Sequence, residues 1–555
     1  MGRSPNLVAG VSVKVGGQTL DPSVSIVEAR VQDNLLLPDA FMLRLLDPDF
    51  KLVDGSTFDI GAKVELQFAA ASKPSGSDGV FKGEIVTLAP QFEKEGPVLV
   101  VRGYDLGHRL IRSRHTRTFQ DMTASDIASK IIGEAGLAKD VQATSDVYPF
   151  EQQSNETDWD YLWQLAGRVG FEVVCLDEKI HFRKPGSGAG NPVLLEWGVN
   201  LKGFHPRASA VQQVENVVVS GWDPASKRRV TATKSAPLLD SSIQMRRDGL
   251  ANGSHQVADE IVITQSEADA LAQSTLDRLA NAWLSADGRC VGNPSVRAGG
   301  KVEIKGVGTR FGGQYLVTQS THVLRDAAGY DTEFEVSGRS RRTLIDLLTP
   351  RQRHGYAESL VIGVVTNNDD PEKMGRVRVK FPGLDERQEG WWARVASTSA
   401  SGKRGLMMMP LVDDEVVVGF EHGDPRRPFV LGSLWNGTAK PDKLAAEGGG
   451  KPDGSFHLRS DKKASISAGG DLSIATEAKM EAKSTSDLAL RAGGKLAIEG
   501  KGAEISITGP TGSVVVEQDG SITIKGTQIT VDASAKLALS SSGIVQVRGS
   551  QIMLG

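Results

Sequence analysis

His422-Gly-Asp424 sets an imidazole two residues from a carboxylate, the residue types that general acid–base chemistry uses. Pro425 follows at once, so the three residues read as a turn and not as a catalytic pair. Asp413, Asp414 and Glu415 offer the paired carboxylates of glycoside hydrolysis. They abut the apolar run Val416-Val417-Val418 and read as a turn and a solvated strand edge. Gly299-Gly300-Lys301 looks like the end of a phosphate loop, but the preceding glycine is missing and a strand-like run follows where a helix is needed. None of the nine histidines pairs at i,i+4 or sits near a cysteine at zinc-ligand spacing. Cys175 and Cys290 are far apart and read as free thiols. Trp159, Tyr161 and Trp163 have the makings of a binding platform, yet inside a capped helix they read as core and domain interface. These residues nominate no catalytic, cofactor-binding or metal-ligating site, and no cofactor is expected.

The elements around these residues point to assembly instead. With 555 residues the chain exceeds a single core, so about three to five domains are expected. The 64 basic and 68 acidic residues leave a net charge of −4, which argues against nucleic acid as a partner. Gly is abundant at 62 and aromatics are scarce at 6%, as turn-rich β structure requires. No apolar run approaches the roughly 20 residues of a membrane helix. The N-terminal residues lack a signal-peptide core, so synthesis and assembly in the cytoplasm are expected.

The stretch 456–555 carries an internal repeat, which governs the fold reading. Its apolar residues come as doublets two apart, the period of a strand with one buried face: Leu472/Ile474, Leu488/Leu490, Leu496/Ile498, Ile505/Ile507, Val514/Val516, Ile522/Ile524, Ile529/Val531, Leu537/Leu539, Val545/Val547 and Ile552/Leu554. Turn residues such as Gly493-Gly494-Lys495 and Asp519-Gly520-Ser521 separate them. One chain would give a narrow ribbon with its apolar row in water, too little burial to offset its ordering entropy. Three chains, each supplying one face of a prism, bury the row. The segment therefore reads as an intertwined trimeric β-helix, a rod of about 50–60 Å from about twelve layers of about 4.8 Å. An ordinary β-meander packed on another domain is the plainer alternative.

Upstream, residues 7–110 read as a strand-rich barrel. Two helices follow, capped by Thr123 with Asp126 and by Thr157 with Asp160, and stopped at Gly136 and Gly170. A hairpin turns at Asp177-Glu178. Residues 191–340 read as a second barrel, with strands such as Val211–Val219. A lateral helix interrupts it, capped by Ser266 with Asp269 and carrying Ala270, Leu271, Leu279 and Trp283 as its stripe. After the charged connector Pro350–Gly355, five short strands over 357–436 suggest an OB-fold. There Val377, Val379 and Phe381 face inward, while Arg376, Arg378 and Lys380 form a row read as a solvated or interdomain face.

The runs Trp391-Trp-Ala-Arg-Val395, Gly405-Leu-Met-Met-Met-Pro410, Asp414–Phe420, Gly423-Asp-Pro-Arg-Arg-Pro428 and Leu431–Gly437 resemble the VgrG-type spike family, the hub and spike of contractile phage tails, type VI secretion and extracellular contractile injection systems. Gly103-Tyr-Asp105 through Phe119, Ser125–Ile127, Thr157–Trp159 and Arg310–Tyr315 are similar to the same family's hub. The resemblance implies a mainly β, multi-domain chain: hub barrel 1 (1–118), a helical and hairpin insertion (119–190), hub barrel 2 with a lateral helix (191–350), an OB-fold domain (357–440), a linker (441–455) and the trimeric β-helix spike (456–555). It implies a structural, non-catalytic homotrimer that joins inner tube and baseplate to a membrane-piercing needle, within a phage tail-like particle either released or membrane-anchored. The expected partners are the hexameric ring of the inner tube protein, baseplate proteins, a PAAR-like tip protein and cargo effectors, with no nucleic acid. The expected trimer core is Leu488, Leu490, Leu496, Ile498, Ile505, Ile507, Val514, Val516, Ile522, Ile524, Ile529, Val531, Leu537 and Leu539, and the expected tip-docking residues are Ile552, Leu554 and Gly555. With the chain stopping at Gly555, neither a toxin extension nor a folded lid is expected. The rival reading is a trimeric tailspike that cleaves or binds surface polysaccharide, which calls for an aromatic-lined groove that a thin repeat with one aromatic, Phe456, does not offer.

Overall fold

The computed structural model describes residues 10–69, 77–94, 96–187, 190–243, 253–326, 329–338, 359–383, 389–401, 406–439, 466, 471–500 and 503–553. The chain divides into two compact units, Met1–Lys451 and Pro452–Gly555. The connector 350–355 and the linker 441–455 lie outside the described residues.

Alternation of apolar and polar residues builds the main sheet of the first unit. In Ile26–Asn34 the inward row is Ala29, Val31 and Asp33; in Ala40–Leu46 it is Phe41, Leu43 and Leu45; in Gly96–Tyr104 it includes Leu99 and Val101. These strands lie side by side, flanked by Ser77–Glu93, Lys63–Ala69, Val11–Val15 and Gln18–Thr19 on one side. On the other side Gln319–Arg325 pairs antiparallel with Ile26–Asn34, followed by Gly329–Val336, Leu284–Val291 and Leu201–Ala208. The two strand-rich segments, expected as two hub barrels, are thus hydrogen-bonded into one eleven-stranded sheet. The pairing gives each of the two seam strands a partner along an edge that would otherwise lie open.

The insertion between the halves has its own core. Arg114–Thr123, which spans the expected boundary at 118/119, pairs with Val147–Thr157. Helices α1 (Ala124–Glu134) and α2 (Asp158–Val169) start at the expected caps, Thr123 with a capping box to Asp126 and Thr157 bonded to Asp160 N–H. Gly170, at φ 72°, ends α2 in the left-handed conformation that glycine adopts without a Cβ penalty. Trp159 and Tyr161 are buried in this core with Trp163 packed against it, as expected. The hairpin Glu172–Leu176/Lys179–Arg183 turns through Asp177 and Glu178, both at positive φ.

The lateral helix α3 spans Gln265–Asn281 and corrects the expected cap. Thr264 and Glu267 form the capping box, because the Ser266 hydroxyl is turned to the carboxylate of Asp146, 2.7 Å from Oδ2. Ala268, Ala272 and Leu276 form its buried stripe against Val217, Val219 and Val257, with Leu271 and Leu279 partly buried. Trp283 lies beyond the helix and packs in a different cluster, with Leu284 and Val336. Val211 is 86% exposed, and the strand expected from it begins at Asn216.

Residues 361–433 close a five-strand barrel, in the spatial order Val361–Asn367, Arg376–Lys380, Glu389–Val395, Pro428–Ser433, Glu415–Phe420. Val377, Val379 and Phe381 face its core as expected. The basic row is not simply solvated: Arg376 is buried, bound by both oxygens of Asp370 and lying over the Trp392 ring, and Arg378 is paired with Glu389.

In the second unit the described strands are Ile505–Thr508, Ser513–Val516 and Ile522–Lys525, an antiparallel meander. The expectation of one strand per doublet is not met within a single chain, since the described stretches 471–500 and 526–553 contain none. A doublet strand needs a hydrogen-bonded neighbour, and a lone chain offers one only where tight turns fold it back.

Candidate assembly interface

The register of the meander sets Ile505 opposite Val516, Ile507 opposite Val514, Val514 opposite Ile524 and Val516 opposite Ile522. Cross-strand partners point to the same face, so six of the expected trimer-core residues share one face of this small sheet. That face is uncovered: Ile507 is 65% and Ile522 67% exposed. Val514, Ile524, Ile529, Val531, Leu488, Leu490, Leu496, Ile498, Leu537 and Leu539 are exposed as well, while Ile505 and Val516 are half-buried. Ile552 is exposed, and Leu554 and Gly555 lie outside the described residues. Apolar side chains gathered on one face in water are surface whose covering would be favourable. The five-strand barrel carries apolar surface too, with Leu360 and Leu431 flanking Gly419 and with Leu406, Met407, Met408 and Leu411 exposed on the loop that precedes Glu415–Phe420.

A second built feature joins the insertion to the barrel. Glu151, 2% exposed, accepts hydrogen bonds from Arg168 at 2.7 and 2.9 Å and from Arg426 at 2.8 Å. Arg426 in turn binds Asp424 through Nε at 3.0 and 3.1 Å and through Nη2 at 2.7 Å. Burial by itself would raise both carboxyls; the guanidinium groups outweigh it, holding Glu151 below the usual range and Asp424 at about 2. Phe150 stacks on Trp391 with centroids 5.3 Å apart beside this network. The run Gly423–Pro428 therefore owes its composition to a joint between domains. Glu151 and Arg168 were not singled out in the sequence, because nothing local ties them to Arg426, 275 residues beyond Glu151.

The residues considered for chemistry stand in turns, strand edges and buried cores. His422 is exposed at φ 50° in its turn, and Asp424 is held by Arg426. Asp413 sits at φ 72°, Asp414 accepts the Leu411 N–H at 2.8 Å, and Glu415 accepts from Asn436 at 3.1 Å, which is turn and edge duty as expected. Gly299-Gly300 leads into the strand Lys301–Lys305. Cys175 and Cys290 are buried free thiols. His322, not singled out in the sequence, is fully buried; burial first, then Arg297, pushes it down to about 3, and Tyr330 Oη lies 2.7 Å from its Nδ1. Among the described residues no group of three or more His, Cys, Asp or Glu is placed to hold a metal ion, and no helix is long and apolar enough to cross a membrane.

Comparison with known proteins gives the following. The model of the family described as Alg8 N-terminal domain matches residues 5–326, and that described as type VI secretion system/phage-baseplate injector OB domain matches residues 361–435. The type VI secretion system spike protein VgrG3 of Vibrio cholerae is 35% identical over 71 residues, 12% of this chain and 7% of its own length. The spike protein VgrG1c of Pseudomonas aeruginosa is 28% identical over 134 residues, 22% of this chain and 18% of its own length. The chain therefore spans a minor part of these curated relatives. Among solved structures, the E. coli c3393 protein, described as a component of the type VI secretion system with similarity to the T4 tail proteins gp27 and gp5, aligns at 18% identity and TM-score 0.49, over 76% of this chain and 99% of that one.

Proposed function

Given that the chain belongs to the Alg8 N-terminal domain family and carries an injector-type OB domain, we propose that it is a structural hub-and-spike protein of a contractile injection machine, working as a homotrimer without catalysis. The observation that carries the reading is the uncovered apolar row of the second unit. Three copies of that row, turned inward, bury what one chain leaves in water. In this reading residues 456–555 form the needle, the barrel around Val361–Ser433 joins it to the hub, and the eleven-stranded sheet meets the hexameric ring of the inner tube. Three chains bring six strand-rich halves around one axis, which adapts a three-fold spike to a six-fold ring. Baseplate proteins surround the hub, a PAAR-like tip protein covers the end near Ile552, and cargo effectors travel with the assembly.

The test is the mass of the full chain in solution. The reading requires about 178 kDa, three times 59.2 kDa, by light scattering. A folded monomer at micromolar concentration refutes it. Incubation with peptidoglycan and surface glycans separates the polysaccharide reading, which requires cleavage or retention.

A further inference from the structure

We propose that Asp39 and Asp105, set beside Asp33 and its Arg297 partner, form a proton-linked latch that seats the insertion on the hub sheet, closed while these two carboxyls hold protons and loosened as they release them. The three carboxylates come together because the strand period puts them there. Asp33 continues the inward row Ala29-x-Val31; Asp39 precedes Phe41 in phase; Asp105 follows Leu99, Val101 and Gly103 in phase. Their strands are adjacent in the sheet, so all three reach one end of the same face, and all three are buried.

Three segments of the chain meet at this point. Arg297, from the second strand-rich half, donates Nε to Asp33 Oδ2 at 3.0 Å, and Ala298 N–H donates to the same oxygen at 3.0 Å. Asp33 Oδ1 is buried without a hydrogen-bond partner. Asp39 Oδ1 accepts the Asn34 N–H at 2.8 Å. Asp105 Oδ2 accepts the Asp39 N–H at 2.9 Å, its Oδ1 accepts the Gly107 N–H at 2.8 Å, and Cys175 of the insertion lines the same cleft as Asp105. A Cβ on Gly107 would stand 2.9 Å from Asp105 Oδ1, 3.2 Å from Trp159 and 3.3 Å from Cys175, so only a residue without a side chain fits between the carboxylate and the insertion core. A small apolar cluster of Leu35, Val174 and Ala298, one residue from each segment, completes the contact.

Charge does not balance here. Arg297 is the cation bound to the cluster, against three carboxylates. A cleft of about 280 Å³ opens beside it, lined among others by Glu65 and Lys82 of the neighbouring strands and by Asp177 and Glu178 of the insertion. Lys82 is paired with Glu178 at 3.7 Å, while Asp177 acts on Arg297. His108 lies on the far side, its Nδ1 2.6 Å from the Asp105 carbonyl oxygen and its Nε2 3.9 Å from Glu84. Among the described residues, the cation in salt-bridge contact with the three carboxylates is Arg297, through Asp33. Burial, followed by the charges of Asp33 and Asp105, lifts Asp39 well above the carboxylate range, and burial lifts Asp105 to about 7 against the N–H groups that hold it down. A carboxyl raised in the closed joint favours closure fully below its ordinary value, near 3.8. The gain is lost as pH rises through the closed-state value, about 7 for Asp105 and higher for Asp39.

Hydrogen exchange on the full chain tests the latch. The reporters are the N–H groups of Asn34, Asp39 and Gly107, each bonded to a cluster carboxylate. Between pH 5 and 7 their opening constants, corrected for intrinsic exchange, should rise toward about tenfold per pH unit for each proton released. Strand Glu415–Phe420 of the barrel should stay flat. Asp39→Asn, which keeps the acceptor for Asn34, should lower the slope, and Asp105→Asn serves the same purpose where the first variant does not fold. Flat reporters in the unaltered chain overturn the proposal, as does an unchanged slope in a folded variant.

Discussion

Replacing Arg426 with alanine probes the joint between insertion and barrel. The substitution removes two bonds from Arg426 Nε and one from Nη2 to Asp424, and one from Nη1 to Glu151. Glu151 keeps the paired bonds from Arg168. Asp424 loses its hydrogen-bonded guanidinium and keeps only the longer-range charges of Arg168 and Arg427, although its side chain is only 15% exposed. Breaking a buried pair by deleting one partner costs about 3–5 kcal/mol, and the lower end applies because Asp424 can turn toward water. About 3 kcal/mol makes opening of the joint roughly a hundredfold more frequent. Hydrogen exchange across Val147–Thr157 and Pro428–Ser433 reads that opening site by site. Arg426→Lys retains the charge but not the forked geometry and should fall between the two. Asp424→Asn combined with Arg426→Ala should recover part of the loss, since the stranded charge is gone. Exchange within about threefold of the unaltered chain in Arg426→Ala would mean that the network does not hold the joint.

Acid should release this same joint: Glu151 and Asp424 are held low when paired, so their contribution is complete above the ordinary carboxylate range and is lost for Asp424 as pH falls from about 4 to about 2, readable by the same exchange measurement. Ile522→Asp should shift the light-scattering mass away from the trimer, because burying three carboxylates near one axis costs several kcal/mol per ion, while Thr523→Asp, on the opposite face of the meander, should leave it in place; equal behaviour of the two variants counts against the inward row. Cys175 and Cys290 should be silent toward a thiol reagent at pH 8 in the native protein and react in the unfolded chain, since burial lifts both thiols, Cys290 to about 12; rapid native labelling of either would show that its burial is not maintained.

What the sequence disclosed and what it withheld divide along the range of the interactions. The caps Thr123 and Thr157, the turn at Asp177-Glu178 and the five barrel strands are settled by neighbours within a few residues, and each stands where expected. Thr264-x-x-Glu267 and Ser266-x-x-Asp269 are overlapping capping boxes, and the choice between them was made by Asp146, more than a hundred residues away. The seam between Ile26–Asn34 and Gln319–Arg325 has no local signature, so the pairing of the two strand-rich runs was not legible in them. The carboxylate cluster was half visible: alternation sets Asp33, Asp39 and Asp105 in phase with core residues, but only the strand order shows that they meet. Glu151 and Arg168 gave no signal in the sequence beyond being charged residues in or beside an apolar region.

The seam also sets a timetable for the nascent chain. Asn34 and Gln319, bonded across it at 2.8 Å, are 285 residues apart. A ribosome adding about 5–20 residues per second leaves the first strand waiting roughly 15–60 s for its neighbour. During that interval the early half presents a bare sheet edge with one apolar face, a template for premature pairing with other growing copies. That edge must be kept from pairing with other copies before its own partner arrives, and the chain's dependence on chaperones should be greatest before residue 325 emerges from the exit tunnel.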